Sequence, residues 1–453
     1  MLSLQDWLER LESRGRRHID LGLRRCVAVA QSLGLCGASG GVELPFAVAV
    51  VGGTNGKGST CALMAAMAIE SGYRVSVYSS PHLLQFEERL TLNGGLSEAS
   101  DWARAMSLVE AAETASGHAL TYFEFVTLAA IQMVKEAAPD LAIFEVGLGG
   151  RLDAVNILQS DVAVLTSIDL DHQAYLGDTR EKIGWEKAHI ARPGRPLVVG
   201  DPMPPQTVLQ VAQEVGADVW LFGRDFNYQG DRQQWSWSGR SSRRNALAYP
   251  ALRGVNQLLN ASAALAALAA LHQRLPITQG GVRQGLALAS LPGRFQVLAG
   301  RPSVVLDVAH NPHAAGALAS NLDQMGFFPQ TVAVVGLLAD KDATAVFERL
   351  ISRVDAWCLA GLSGPEVGAR ARSAQELADV LEALVAAQPS GGRPGLGPAP
   401  VFLFPSPKEA LEKAASLVEA SDRIVVFGSF HTVAAVWDDA HRIGLAPHAP
   451  DAH

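Results

Sequence analysis

The run Gly53-Thr54-Asn55-Gly56-Lys57-Gly58-Ser59-Thr60 brings together the residue types that hold a phosphoanion. Glycines let successive backbone N–H groups turn toward one point, a following helix presents its positive end, Lys57 adds a point charge, and a hydroxyl can hold Mg²⁺. Gly58 follows Lys57, so the hydroxyl of a strict Walker loop is displaced by one position and comes from Ser59 or Thr60. The valine-rich run PFAVAVV (45–51) precedes the loop and the helix-compatible CALMAAMAIESG follows it. Strand, loop and helix in that order is the setting a phosphate cradle requires.

Other polar residues also close apolar runs. Glu145 lies in LAIFEVG (141–147), at the C-terminal end of an expected parallel strand, where ligands collect; alone it could bind a metal or cap a helix. His172, with Asp169 and Asp171, follows DVAVLTSI (161–168) and belongs to the same expected edge. Asp307 and His310 follow the first strand of the second half, where turn formers and site residues look alike. Lys187, in Trp185-Glu186-Lys187-Ala188, reads from the sequence alone as an exposed helical cation.

The elements that must position these groups alternate. YRVSVYSS (73–80), LAIFEVG and DVAVLTSI each read as a strand followed by helical material, which predicts a parallel sheet with helices on both faces. Residues 4–34 predict two helices joined by a short loop, and 215–252 a small antiparallel excursion. After the helix NASAALAALAALHQRL, the segment LPGRFQVL (291–298) opens a second alternating half, with strands expected at 303–309, 331–338, 356–362, 400–404 and 423–429. QPSGGRPGLGPAP (388–400) reads as a surface loop. Pro292 and Gly293 break the pattern. The expected organisation is therefore α/β throughout: a P-loop domain with a mostly parallel sheet over 1–292 and a smaller Rossmann-like domain over 293–453.

Composition narrows the partners. Of 453 residues, 48% are hydrophobic and 18% charged, which excludes a disordered chain. A net charge of −8 provides no basic field for nucleic acid or an anionic membrane, so neither is expected as a partner. No apolar stretch approaches the ~20 residues that span a bilayer. The first thirty residues mix acids and bases and lack the apolar core of a signal peptide. Cys26, Cys36, Cys61 and Cys358 form no Cys-x-x-Cys pair and are expected as reduced thiols of a cytoplasmic protein.

Beyond the loop, SSPHL (79–83), TYFEF (121–125), EVGLGGRLDAVN (145–156), LDH (170–172), EKAHI (186–190), LPGRF (291–295), DVAHNPHA (307–314) and GSFHTVA (428–434) span nearly the whole chain. With GTNGKGS, and in this order, they resemble the folylpolyglutamate synthase branch of the Mur ligase family, whose members use ATP to join an amino acid to a carboxylate. IDLGL (19–23) and TYFEF are similar to the bacterial members that also use dihydropteroate.

The resemblance implies a chemistry and a set of roles. ATP phosphorylates the substrate carboxylate, and the amine of L-glutamate displaces phosphate from the acyl phosphate; dihydropteroate and reduced folates are the acceptors. Three anions must meet, so two Mg²⁺ ions are expected. Thr54, Asn55, Gly56, Lys57, Gly58, Ser59 and Thr60 would hold the triphosphate, Asn260 the adenine end, Arg294 the phosphates, and Asp307 the ribose or base side of ATP. Ser59 or Thr60, Ser80, Glu145, His172 and a CO₂-carbamylated Lys187 would hold the metals. Mg²⁺ prefers oxygen, which leaves Asp169 or Asp171 as rivals to His172. His310 would lie near the γ-phosphate and the incoming amine, making Lys57, Lys187 and His310 the catalytic set. The pterin candidates are Asp20, Leu21, Gly22 and Leu23, then Thr121, Tyr122, Phe123 and Glu124, then Asp153 and Ala154. Phe123 would stack on the flat ring and Asp153 accept its amino hydrogens, against core packing and helix capping as their plainer readings. Ser429, His431 and Thr432 would touch the amino acid or build a packed turn. The enzyme is expected to act as a monomer. A monofunctional folylpolyglutamate synthase is the nearest alternative; a cell-wall ligase, which would carry Gly-Lys-Thr, and a P-loop switch without ligase chemistry are more distant.

Overall fold

Runs that are apolar at every residue need cover on both faces, and here they become buried strands. The computed structural model describes residues 2–13, 21–38, 40–231, 233–240, 242–364, 367–387 and 399–444. The chain divides into two units, one of Met1–Ala251 with Asn256–Ser290, the other of Leu252–Val255 with Leu291–His453.

In the first unit the strands are β1 (Ala47–Gly52), β2 (Val75–Tyr78), β3 (Leu90–Leu92), β4 (Gly95–Leu96), β5 (Leu141–Glu145), β6 (Val162–Leu165), β7 (Pro196–Val199) and β8 (Asp218–Leu221). They form one sheet in the order β4-β3-β2-β5-β1-β6-β7-β8. The six from β2 to β8 are parallel, and β3 and β4 add an antiparallel edge. The helices are α1 (Leu4–Ser13), α2 (Arg24–Ser32), α3 (Lys57–Ile69), α4 (Ala99–Ser116), α5 (Tyr122–Ala137), α6 (Gln173–Leu176), α7 (Arg180–Ala188), α8 (Gln206–Val215), α9 (Gln257–Ala270) and α10 (Gln279–Leu288). All six residues of β1 are buried. Val48 and Val50 pack in one cluster with Trp102, Phe125 and Ile183, while α3 lies against β1, β2 and β5 with α9 and α10 beside it.

Three short elements of this sheet lie outside the sequence expectation: β7, which no expected strand covers, β8 and the β3–β4 hairpin. The expected antiparallel excursion begins later than 215, because Asp218–Leu221 joins the main sheet as β8, parallel to β7. Its four residues, only Trp220 of them buried, form an edge strand whose polar side hides the apolar signal. The excursion itself is a three-stranded meander of β9 (Asn227–Gly230), β10 (Trp235–Ser238) and β11 (Arg243–Leu247). The β3–β4 hairpin turns at Asn93-Gly94, both at positive φ (51° and 79°), the geometry that Asn-Gly favours.

The second unit holds β12 (Gln296–Leu298), β13 (Ser303–Leu306), β14 (Thr331–Val335), β15 (Ala356–Ala360), β16 (Val401–Phe404) and β17 (Arg423–Phe427) in the order β12-β13-β17-β14-β15-β16. All are parallel except β12. Its helices are α11 (Pro312–Gln324), α12 (Ala343–Leu350), α13 (Ala374–Ala387), α14 (Pro407–Leu417), α15 (Phe430–Ala435) and α16 (Trp437–Gly444). Most of the glycine- and proline-rich loop, residues 388–398, lies outside the described residues. Among the described residues no helix is long and apolar enough to cross a membrane, and the four cysteines are free thiols.

The helix that follows the P-loop is held by close backbone contact. A Cβ on Gly285 of α10 would stand 2.5 Å from the Met67 N and Cα of α3, and one on Gly281, a turn earlier, 2.0 Å from Ser71 Oγ. Because the obstacle at Gly285 is backbone, Gly285→Ala must separate the two helices. It is expected to cost about 1–3 kcal/mol, measured as a lower denaturation midpoint at unchanged m-value; an unshifted midpoint would show that α3 and α10 are free to part.

Candidate active site

Between the end of β1 and the start of α3 the chain turns through Gly53 (φ 142°) and Gly56 (φ 87°), backbone values that L side chains rarely adopt. A Cβ on Gly53 would also stand 1.8 Å from Thr166 Oγ1. That closeness comes from β6, the neighbour of β1. Past its end, the Ser167 carbonyl accepts from Thr54 N (2.6 Å), Thr166 Oγ1 donates to the Asn55 carbonyl (2.7 Å) and Thr54 Oγ1 to the Asp169 carbonyl (3.0 Å). Asn260 of α9 stands on the other side, its Oδ1 2.5 Å from where a Gly56 Cβ would be. Asn260 donates to Gln257 Oε1 (3.1 Å), and Gln257 Nε2 reaches Ser59 Oγ at 3.4 Å. Thr166, Ser167 and Gln257 were not singled out in the sequence; the hydroxyl pair at the end of DVAVLTSI was the available signal, but only the β1–β6 register shows that it faces the loop.

Two amines meet at this loop. Lys57 Nζ donates to the Gly53 carbonyl (3.1 Å) and the Thr54 carbonyl (3.3 Å). Lys187 Nζ donates to the same Gly53 oxygen at 3.0 Å. Lys187 is 5% exposed, so the sequence reading of a surface cation is corrected: its helix face is turned inward. Burial, reinforced by Lys57, pushes its amine down to about 7. The turn after Glu145 fixes the helix that carries it. Arg151 N donates to the Glu186 carbonyl (2.9 Å), Arg151 pairs with the Glu186 carboxylate (2.9 Å), and a Cβ on Gly150 would lie 2.9 Å from Lys187 Cα.

The metal candidates share the edge. Ser80 follows β2, Glu145 ends β5 opposite Val51 of β1, and His172 follows β6; β2, β5, β1 and β6 are consecutive in the sheet. Glu145 is buried at 7% exposure. His172 adopts a left-handed conformation (φ 50°) ahead of α6, its Nε2 3.9 Å from Asp171 Oδ2. Ser59 is buried, and Thr60 Oγ1 is enclosed without a hydrogen-bond partner. Among the described residues no three His, Cys, Asp or Glu side chains converge. A single buried carboxylate with hydroxyls and a phosphate loop fits a hard cation that keeps water and phosphate oxygens, as Mg²⁺ does, better than a metal caged by protein ligands.

The pterin candidates divide by what they touch. Thr121 and Glu124 form the capping box of α5: Glu124 N donates to Thr121 Oγ1 (3.4 Å), Thr121 N to Glu124 Oε2 (2.7 Å). Glu124 also pairs with Arg25 at 2.8 Å. Phe123, within that first turn, faces Gly147, where a Cβ would be 2.5 Å from its ring, and Tyr78, 6.5 Å between centroids. Tyr122 lies under the Arg89 guanidinium at 5.9 Å. Asp153 caps the short turn Ala154–Ile157. It accepts from Leu148 N (2.8 Å) and Val155 N (2.9 Å), and burial raises its carboxyl to about 6. Ala154 is buried. Leu21, Gly22 and Leu23 lead into α2; Asp20 lies outside the described residues.

In the second unit, Asp307 follows β13 and accepts from Ala309 N (2.8 Å) and Phe295 N (3.1 Å); burial raises its carboxyl to about 6 while Arg294 opposes the shift. Arg294 lies over Phe430 at 4.8 Å, and His310 Nδ1 is 2.9 Å from the Val308 carbonyl. Ser429 and Thr432 join their hydroxyls (2.7 Å), and Thr432 Oγ1 donates to the Gly336 carbonyl (2.7 Å), so both build the β17–α15 turn. His431 is partly buried beside them.

Residues 51–268 match the Mur ligase middle domain and 293–430 the Mur ligase glutamate ligase domain. The dihydrofolate synthase/folylpolyglutamate synthase of Escherichia coli is 41% identical over 443 residues, covering 97% of each chain. The chain belongs to the dihydrofolate synthase/folylpolyglutamate synthase family of Mur ligases. It is an ATP-dependent acid–amino-acid ligase. The solved Escherichia coli structure in complex with DHPP and ADP aligns with a TM-score of 0.87 at 40% identity, over 97% of this chain and 99% of that one. A bifunctional folylpolyglutamate synthase/dihydrofolate synthase with Mn, AMPPNP and L-glutamate bound aligns with a TM-score of 0.83 at 41% identity, over 97% and 98%.

Within this ligase, a Cβ introduced by Gly150→Ala meets the Glu186–Lys187 backbone, so the turn and α7 must shift against each other. Turnover is expected to fall about a hundredfold in a steady-state assay, with ~1–3 kcal/mol lost in denaturation. Undiminished turnover would show that this contact does not set the place of Lys187.

Proposed function

We propose that this chain converts dihydropteroate, ATP and L-glutamate to dihydrofolate, ADP and phosphate, and then extends reduced folates with further glutamates. The meeting of Lys57 and Lys187 at the Gly53 carbonyl, one strand from Glu145, carries the reading. A plain nucleotide switch has no use for a second buried lysine there. The glycine turn and Lys57 bind the triphosphate, the substrate carboxylate attacks the γ-phosphorus with ADP as leaving group, and the glutamate amine displaces phosphate from the acyl phosphate. Two Mg²⁺ ions, when bound through Ser59 or Thr60, Ser80, Glu145, His172 and Lys187, supply neutralisation of the phosphate charge.

The pterin ring stacks on Phe123, and Asp153 accepts its amino hydrogens. Thr121 and Glu124 serve that contact by fixing the first turn of α5. In the second unit, Arg294, Asp307 and His310 are the groups we assign to nucleotide and glutamate recognition. Free thiols, three of the four buried, suit a reducing compartment, and we place the enzyme in the cytoplasm.

Substrate dependence tests the assignment. ADP release is expected with dihydropteroate plus glutamate and with tetrahydrofolate plus glutamate, and to need glutamate in both. Silence with dihydropteroate alone among the acceptors would assign a monofunctional folylpolyglutamate synthase, and glutamate-independent hydrolysis would reject a ligase.

Lys187 is proposed to be carbamylated: its neutral amine adds to CO₂, a C–N bond forms, and one proton leaves to solvent. With the amine at about 7, the reactive neutral form grows as pH rises through that value. A carbamate carbon signal from ¹³C-bicarbonate is therefore expected in NMR spectra, stronger at pH 8 than at pH 6 (about one unit either side of the amine's midpoint). It should vanish in Lys187→Ala, whose lost activity a short carboxylate partly restores. The same signal in Lys187→Ala, or full activity without the lysine, would remove the carbamate from the mechanism.

A further inference from the structure

In the first unit, the β9–β11 meander and helices α9 and α10 enclose a cavity of about 90 Å³, apart from the P-loop edge. On the same measure a single water needs roughly 10–15 Å³. Its lining is apolar at Leu265, Leu268, Ile277 and Val282 and polar at Trp237, Ser242, Arg244 and His272, and among the described residues that line it there is no carboxylate.

Trp237 and Arg244 are cross-strand partners in the β10–β11 pairing. Trp237 is 2% exposed, its ring lies against Gly239, and its indole N–H is buried without an acceptor. A buried donor left without an acceptor is costly to keep. Arg244 donates to the Ile277 carbonyl (2.7 Å) and to Gln279 Oε1 (3.3 Å). Those two acceptors use only part of its five-donor fork. Burial lowers its pKa, and among the described residues no carboxylate stands within ion-pair distance of it. A buried donor and a half-buried, unneutralised cation, cross-strand partners on one hairpin face and lining one cavity with apolar side chains, share one missing partner.

We propose that this cavity binds a small carboxylate, whose oxygens accept from Arg244 and the Trp237 indole N–H and whose short apolar chain lies on Leu265 and Leu268. The oxyanion supplies the acceptor and the countercharge together, and the apolar lining distinguishes an aliphatic carboxylate from a bare inorganic anion.

The whole ¹⁵N-labelled protein would be titrated with butyrate, inorganic phosphate and n-butylamine, following indole N–H resonances, with Trp237→Phe assigning the relevant one. Butyrate is expected to shift the Trp237 indole saturably and more tightly than phosphate, and n-butylamine to leave it in place. Arg244→Gln, which keeps the strand pairing, should weaken butyrate about tenfold or more by calorimetry, decisive even if the Trp237 variant fails to fold. An unmoved indole, equal butyrate affinity in Arg244→Gln, tighter binding of phosphate, or matching effects of butyrate and n-butylamine would each overturn the proposal.

Discussion

The Gly53 carbonyl accepts from Lys57 and Lys187 at once, and the rest of the active site is arranged around that fact. Two nitrogens within 3.1 Å and 3.0 Å of one oxygen are at most about 6 Å apart. Two unit charges at that distance repel by roughly 3 kcal/mol at an effective dielectric of ~20. A single carbonyl dipole does not offset that. Lys187 gives way because it is the more deeply buried of the two, and burial is the larger cause of its lowered pKa. The two lysines at the loop therefore differ in kind, and the Lys187 amine is about half neutral near pH 7. A neutral lysine is a poor phosphate clamp but a competent nucleophile toward CO₂.

Strand order is what makes the meeting reachable. β2, β5, β1 and β6 are neighbours, so Ser80, Glu145, the P-loop and the 166–172 segment, scattered over more than ninety positions, end on one edge. Register then decides which groups face each other, since a one-residue slip turns every side chain to the other face. Glycine supplies the remaining closeness. At Gly53, Gly56 and Gly150 a Cβ would strike Thr166, Asn260 and the α7 backbone respectively, and each contact ties one more element to the loop.

Much of this was readable in the sequence, and the failures have physical causes. Long, fully buried strands and the P-loop announce themselves through valine runs and glycine spacing. β8 does not, because an edge strand is half polar, and the β3–β4 hairpin carries its turn signal on strands of three and two residues. The burial of Lys187 could not be read at all: helical periodicity around it is weak, and what hides it is Gly150 and Arg151, more than thirty residues earlier. Support from Gln257 to Ser59 likewise depends on α9 packing beside α3.

The motif blocks also mix two kinds of residue that a sequence cannot separate. Glu124, Asp153, Ser429 and Thr432 all stand in blocks that resemble functional segments, and all accept backbone N–H groups at helix or turn starts or lock such a start in place. A capping group holds the first turn of its helix to a fixed direction, worth about 0.5–2 kcal/mol, and in each case the neighbour it fixes is the candidate contact: Phe123 beside Glu124, the 147–151 turn beside Asp153, His431 between Ser429 and Thr432. Asp153 is a candidate for both kinds, since the backbone donors of Leu148, Val155 and Gly147 need not fill the roughly four acceptor sites of a carboxylate. Positioning groups and candidate contacts therefore occupy alternate places in one short block, which is why such blocks read as units in a sequence.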